Sequence, residues 1–95
     1  MRVFEERRRA VPSHITKIAS TVGLHARPAS EFVSRAKEAE TVKIGRPGTP
    51  GVNGKSIAMV LTLGLAHEDE VEITVEGEKA EEHLNALVEI VESAQ

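Results

Sequence analysis

Pro28 is the residue that most narrows the folds open to this chain. Proline lacks a backbone N–H, so it is tolerated only in the first turn of an α-helix, where that donor would have no partner anyway. Directly after it, Ala29, Phe32, Val33 and Ala36 recur at i, i+3, i+4 and i+7, which is one face of an amphipathic helix. The helix therefore starts within a residue or two of His25. A residue before proline resists the helical region, so the boundary at Arg27 stays open. Upstream, Gly23 can take a turn conformation closed to other residues.

The other elements follow from similar signals. Residues 1–12 are weakly periodic and end at Pro12; they are expected as an N-terminal extension outside the fold, with the domain proper at 13–95. A strand of poor alternation is expected from about Thr16 to Ser20. Thr41 to Gly45 alternates, and GRPGTPG at 45–51 reads as a hairpin connection to a short strand near Val52. Ser56 stands as an N-cap before IAMVLTL, with Gly64 as the stop of that short helix. Glu70 to Glu76 places Val71, Ile73 and Val75 on one side, a half-buried strand. Ala80, Leu84, Leu87, Val88 and Val91 define a last helix, whose start Glu78, Glu81 and Glu82 complement electrostatically. The order is β-α-β-β-α-β-α. An α+β fold with an antiparallel sheet covered on one face by helices packs these elements most economically.

Size and composition exclude several classes. At 95 residues there is room for one domain and none to close over a substrate, which favours a carrier or binding module over a self-contained enzyme. Without cysteine there is neither a disulfide framework nor a thiolate metal site. No apolar run suits a signal peptide or a membrane span, so a soluble cytoplasmic protein is expected. The net charge is −3 and Phe4 and Phe32 are the only aromatics, so the basic face and stacking platform of a nucleic-acid module are missing. The patch Arg7, Arg8 and Arg9 is expected to be solvated.

Chemistry concentrates around His25. An imidazole is readily neutral and nucleophilic near neutral pH and can form covalent intermediates. A helix start offers backbone N–H groups, here those of Ala26 and Arg27, and the positive end of a dipole. Arg27 adds a permanent cation whose donor fork suits phosphate oxygens. Nucleophile, anion site and guanidinium within three residues suit a phosphoryl group held on an imidazole nitrogen. The plainer alternative is a loop histidine beside a helix cap.

GLHARPAS at 23–30 resembles the active-site signature of HPr, the histidine-containing phosphocarrier family of the bacterial phosphoenolpyruvate:sugar phosphotransferase system. VNGKSIAMVLTLGL at 52–65 is similar to its regulatory-serine segment, and VEITVEGEKAEEHLNALVEIV to its last strand and helix. The resemblance implies an open-faced β-sandwich of four antiparallel strands with three helices on one side. It implies that His25 takes phosphate on Nδ1 from phosphoenolpyruvate through enzyme I, that Arg27 screens the phosphate, and that Pro28 opens the helix. Ser56 matches a serine that a dedicated kinase modifies in some bacteria, creating a docking surface for a transcription factor. Ser30, Lys37, Ile57 and Leu61 fall where enzyme I and sugar-specific IIA domains dock. The implied protein is a monomeric phosphoryl carrier without metal or cofactor, and not an enzyme in the turnover sense. A regulatory module acting through Ser56, or a carrier in a nitrogen or dihydroxyacetone branch, is the alternative.

Val22 departs from the family, standing where many members carry a polar residue that supports the loop. Ala58 replaces a bulkier apolar residue, and residues 45–51 are richer in Gly and Pro than usual. Serine at position 56 is also expected as a cap alone, contributing about 1 kcal/mol. Gly54-Lys55-Ser56 mimics the end of a P-loop, but Gly48 lies one residue too far upstream, and the chain is too short for a nucleotide-binding α/β domain. His14, His67 and His83 lack metal-ligand spacing. His83 is expected at the surface and His67 in a turn.

Overall fold

The computed structural model describes residues 11–24 and 26–93. Strand β1 spans Ser13–Lys17, helix α1 Ala26–Ala36, β2 Thr41–Gly45, β3 Val52–Asn53, α2 Ile57–Thr62, β4 Glu70–Glu76 and α3 Ala80–Glu92. The four strands form one antiparallel sheet in the order β1-β4-β2-β3. Strand β4 lies inside the sheet, pairing Ile73 with His14 on one side and with Ile44 on the other.

The period-2 pattern of β4 sorts its residues between two environments. Val71, Ile73 and Val75 are buried under the helices, while Glu70 and Glu76 are exposed on the opposite, open face. Val42 and Ile44 of β2 join the buried layer. From α1 come Ala29, Phe32, Val33 and Ala36, and from α3 Leu84, Leu87 and Val91. Each large side chain buried in this way contributes about 1.5–3 kcal/mol relative to exposure. Helices α1 and α3 are also bridged by Arg35 Nη1, 2.8 Å from His83 Nδ1. Arginine only donates, so this contact places the His83 proton on Nε2. His83 is thus half-buried and partnered across the helix pair, not the free surface residue expected.

Strand β1 lies three residues earlier than expected. Its ladder with β4 runs from Ser13↔Thr74 to Lys17↔Glu70. Pairing then stops because the partner chain turns away: Glu68 adopts a left-handed conformation (φ 71°) one residue before Asp69, whose carbonyl accepts from Ile18 N–H. Ile18 and Ser20, expected in the strand, belong to the buried loop that follows it. At the other end Pro12 accepts a hydrogen bond from Val75 N–H (3.1 Å).

Ser56 caps α2 as expected, its hydroxyl oxygen accepting from Met59 N–H at 3.3 Å. Gly64 (φ 59°) takes the left-handed conformation just past the C-cap Leu63. Lys55 ties this segment to the turn after α1, donating from Nζ to Ala39 O (2.8 Å) and Glu40 O (2.9 Å).

Candidate functional site

The segment leading to His25 is a tightly bonded loop. Ile18 N–H donates to Asp69 O (3.0 Å), Glu68 N–H donates to Ile18 O (2.8 Å), and Leu24 N–H donates to Leu65 O (2.9 Å). The loop joining α2 to β4 thus grips both ends of the segment. From α3, Val91 O accepts Ala19 N–H at 3.1 Å. Gly23 (φ 75°) makes the turn that glycine permits, with its N–H on Ser20 O at 3.0 Å.

Ser20 is the one buried polar residue among those described, at 2% exposure. Its hydroxyl accepts Val22 N–H (3.3 Å), and its carbonyl lies 3.2 Å from His67 Nδ1. The turn at 66–69 is braced in its own right. Asp69 Oδ2 accepts Ala66 N–H at 2.9 Å, and Arg46 reaches Asp69 Oδ2 (3.4 Å) and Leu63 O (3.2 Å). The Ala66 N–H bond, helped by the Arg46 guanidinium, holds the Asp69 carboxyl below its usual range.

His25 itself lies outside the described residues, and the sequence places it between Leu24 and Ala26, the first residue of α1. Pro28 is the third residue of that helix and is buried against the fold, so the proline stands in the first turn as its chemistry requires. The first N–H groups of a helix, here Ala26 and Arg27, have no partner within the helix and favour an anion. Arg27 is exposed, and its Nε pairs loosely with Glu31 Oε2 at 3.7 Å. Exposed pairs of this kind contribute little, so the guanidinium can turn to a nearby phosphate without large loss.

Helix α2 packs against α1 and brings an apolar surface to this region. Ile57 and Leu61 are each 41% exposed, Met59 is 42% exposed, and Val22 of the loop 58%. The exposed Val22 supplies no side-chain polar support to the loop, and the Ser20 hydroxyl supplies it instead. Ser30 is exposed in the second turn of α1, whereas exposed Lys37 follows the end of that helix, about 10 Å further along its axis at 1.5 Å per residue. Arg27, Pro28 and Ser30 are therefore grouped, while Lys37 stands apart from them. Ser20 and His67 were not among the expected site residues. They meet across 47 positions of sequence, and no local pattern marks such a pair.

Among the described residues no group of three or more His, Cys, Asp or Glu side chains could hold a metal ion, and no helix is long and apolar enough to cross a membrane.

A family model described as "PTS HPr component phosphorylation site" matches residues 13–93. The chain is 38% identical over 82 residues to phosphocarrier protein HPr of Pseudomonas aeruginosa, covering 85% of this chain and 91% of that one. With phosphocarrier protein HPr of Haloferax volcanii it shares 39% identity over 75 residues, 77% of this chain and 84% of the other. The crystal structure of phosphocarrier protein HPr from Bacillus anthracis superimposes with a TM-score of 0.79 at 35% identity, covering 86% of this chain and 98% of that chain. That likeness extends to the open-faced arrangement of four strands and three helices. The chain belongs to the HPr family, the phosphocarrier proteins of the phosphotransferase system.

Proposed function

We propose that the chain accepts a phosphoryl group on Nδ1 of His25 from enzyme I, at the expense of phosphoenolpyruvate, and passes it to sugar-specific IIA domains. In each step a bond from the acceptor nitrogen to phosphorus forms as the donor's bond to phosphorus breaks. The observation that carries this reading is the junction of a braced loop with the first turn of α1, where a helix start and Arg27 flank position 25. Phosphoryl transfer demands positioning and charge neutralisation more than covalent machinery, and such a junction supplies both.

The exposed apolar residues Val22, Ile57 and Leu61 support docking of partners that come and go, with Ser30 and Lys37 extending the surface along α1. Ser56 enters differently. Its hydroxyl oxygen already caps α2, and a phosphate there would add about two negative charges beside the docking surface, weakening an acidic partner's binding.

Incubation with phosphoenolpyruvate and enzyme I tests the proposal directly. Wild-type protein is expected to acquire an acid-labile phosphate that His25→Ala does not. Equal labelling of the two proteins overturns the assignment.

A further inference from the structure

We infer that His67 is a positioning residue for phosphoryl transfer, holding the loop that delivers His25 through a hydrogen bond from Nδ1–H to Ser20 O. The inference rests on the phosphocarrier reading above. A carbonyl oxygen can only accept, so the contact at 3.2 Å places a proton on Nδ1. Ser20 is the junction of the loop, receiving donors from Val22, Gly23 and His67. The first two come from within the same turn and fix its shape alone. Among the hydrogen bonds that Ser20 makes in the described residues, the one from His67 reaches it from outside the turn.

The other ties between the two loops, Ile18 to Asp69, Glu68 to Ile18 and Leu24 to Leu65, are backbone bonds that most residue types would make. The Ser20–His67 bond is the side-chain contact in this set, and it acts between the two gripped ends, Ile18 and Leu24. Glu68, the next residue, donates its own N–H to Ile18 O at 2.8 Å, which fixes the backbone beside His67 to the same segment. The bond from His67 restrains where Gly23 and Leu24 leave the chain for position 25. A misplaced nucleophile reacts slowly even when its chemistry is intact.

The test uses the full chain with His67→Leu, which removes the donor, and His67→Asn, which keeps an N–H donor near the place of Nδ1. Phosphoryl acceptance from enzyme I is measured over a range of carrier concentrations, and amide exchange is followed at Val22 and Gly23. Loss of one neutral hydrogen bond predicts a fall in kcat of about three- to tenfold for His67→Leu, with KM within about twofold of wild type. Exchange at Val22 and Gly23 accelerates, and His67→Asn restores most of both. An unchanged kcat in His67→Leu, a change confined to KM, or His67→Asn as slow as His67→Leu would each overturn the inference. The exchange measurement keeps the two readings separable. Wild-type protein that takes no phosphate overturns the carrier reading, whereas unaltered exchange in His67→Leu overturns the loop anchor whatever the labelling.

Discussion

Gly54 is buried where α1, β2 and the start of α2 converge, and a methyl group added to it has nowhere to go. Its N–H donates to Val42 O at 2.8 Å. A Cβ built on it would stand 2.6 Å from Val42 Cγ1 and 3.2 Å from Phe32 Cε1. Carbon contacts are most favourable near 3.5–4.0 Å, so the first approach lies deep in repulsion. Neither neighbour can step aside easily, since Val42 is 1% exposed and Phe32 fully buried. Gly54→Ala is therefore expected to cost about 1–3 kcal/mol, as over-packing of a closed core does. In a domain of this size each 1 kcal/mol lowers the thermal midpoint by about 4–8 °C.

The decisive assay is a double-mutant cycle in urea and thermal unfolding. Val42→Ala alone removes two methyl groups, about 1.6 kcal/mol of transfer energy, and leaves a cavity that raises the cost further. In the double variant the new methyl at 54 enters the space that Cγ1 vacates. Its stability should then match that of Val42→Ala or exceed it. If Gly54→Ala unfolds at the wild-type midpoint, or the two costs add within about 0.5 kcal/mol, close approach to Val42 is not why this position is glycine.

Three further outcomes are expected. Ser56→Ala loses the α2 cap and about 1 kcal/mol in urea unfolding, and unchanged stability would show that the 3.3 Å bond to Met59 N–H contributes nothing. Arg27→Glu slows phosphoryl acceptance at least tenfold, about 1.4 kcal/mol of barrier, while unfolding stays within about 0.5 kcal/mol of wild type because the side chain is exposed; a large loss of stability would make Arg27 structural. Asp69 titrates below its unfolded value because Ala66 N–H and Arg46 favour the carboxylate, so its contribution is complete above the usual carboxylate range and is lost as pH falls through the lowered value. The stability gap between wild type and Asp69→Asn should accordingly close as pH falls through and below the usual carboxylate range, and a gap independent of pH would refute this.

Where one residue's environment repeats along the chain, the sequence was sufficient. Strands β2 and β4 run from Thr41 to Gly45 and from Glu70 to Glu76 as their alternation implies, because each has one face in the core and one in water. The stripe Ala29, Phe32, Val33 and Ala36 is buried throughout, and Ser56 caps because its hydroxyl satisfies a helix donor locally. The resemblance around GLHARPAS likewise led to the family without any coordinates.

Tertiary structure decided whatever depends on a partner far along the chain. Strand β1 could not be placed by pattern, since Ile15 is exposed and Ile18 is buried in the loop beyond the strand. Its ends are set by β4 and by the left-handed turn at Glu68. The partners of His67 and His83, at Ser20 and Arg35, lie 47 and 48 residues away. A hydrogen bond is made by groups that packing brings within about 3 Å, and sequence separation carries no record of that distance.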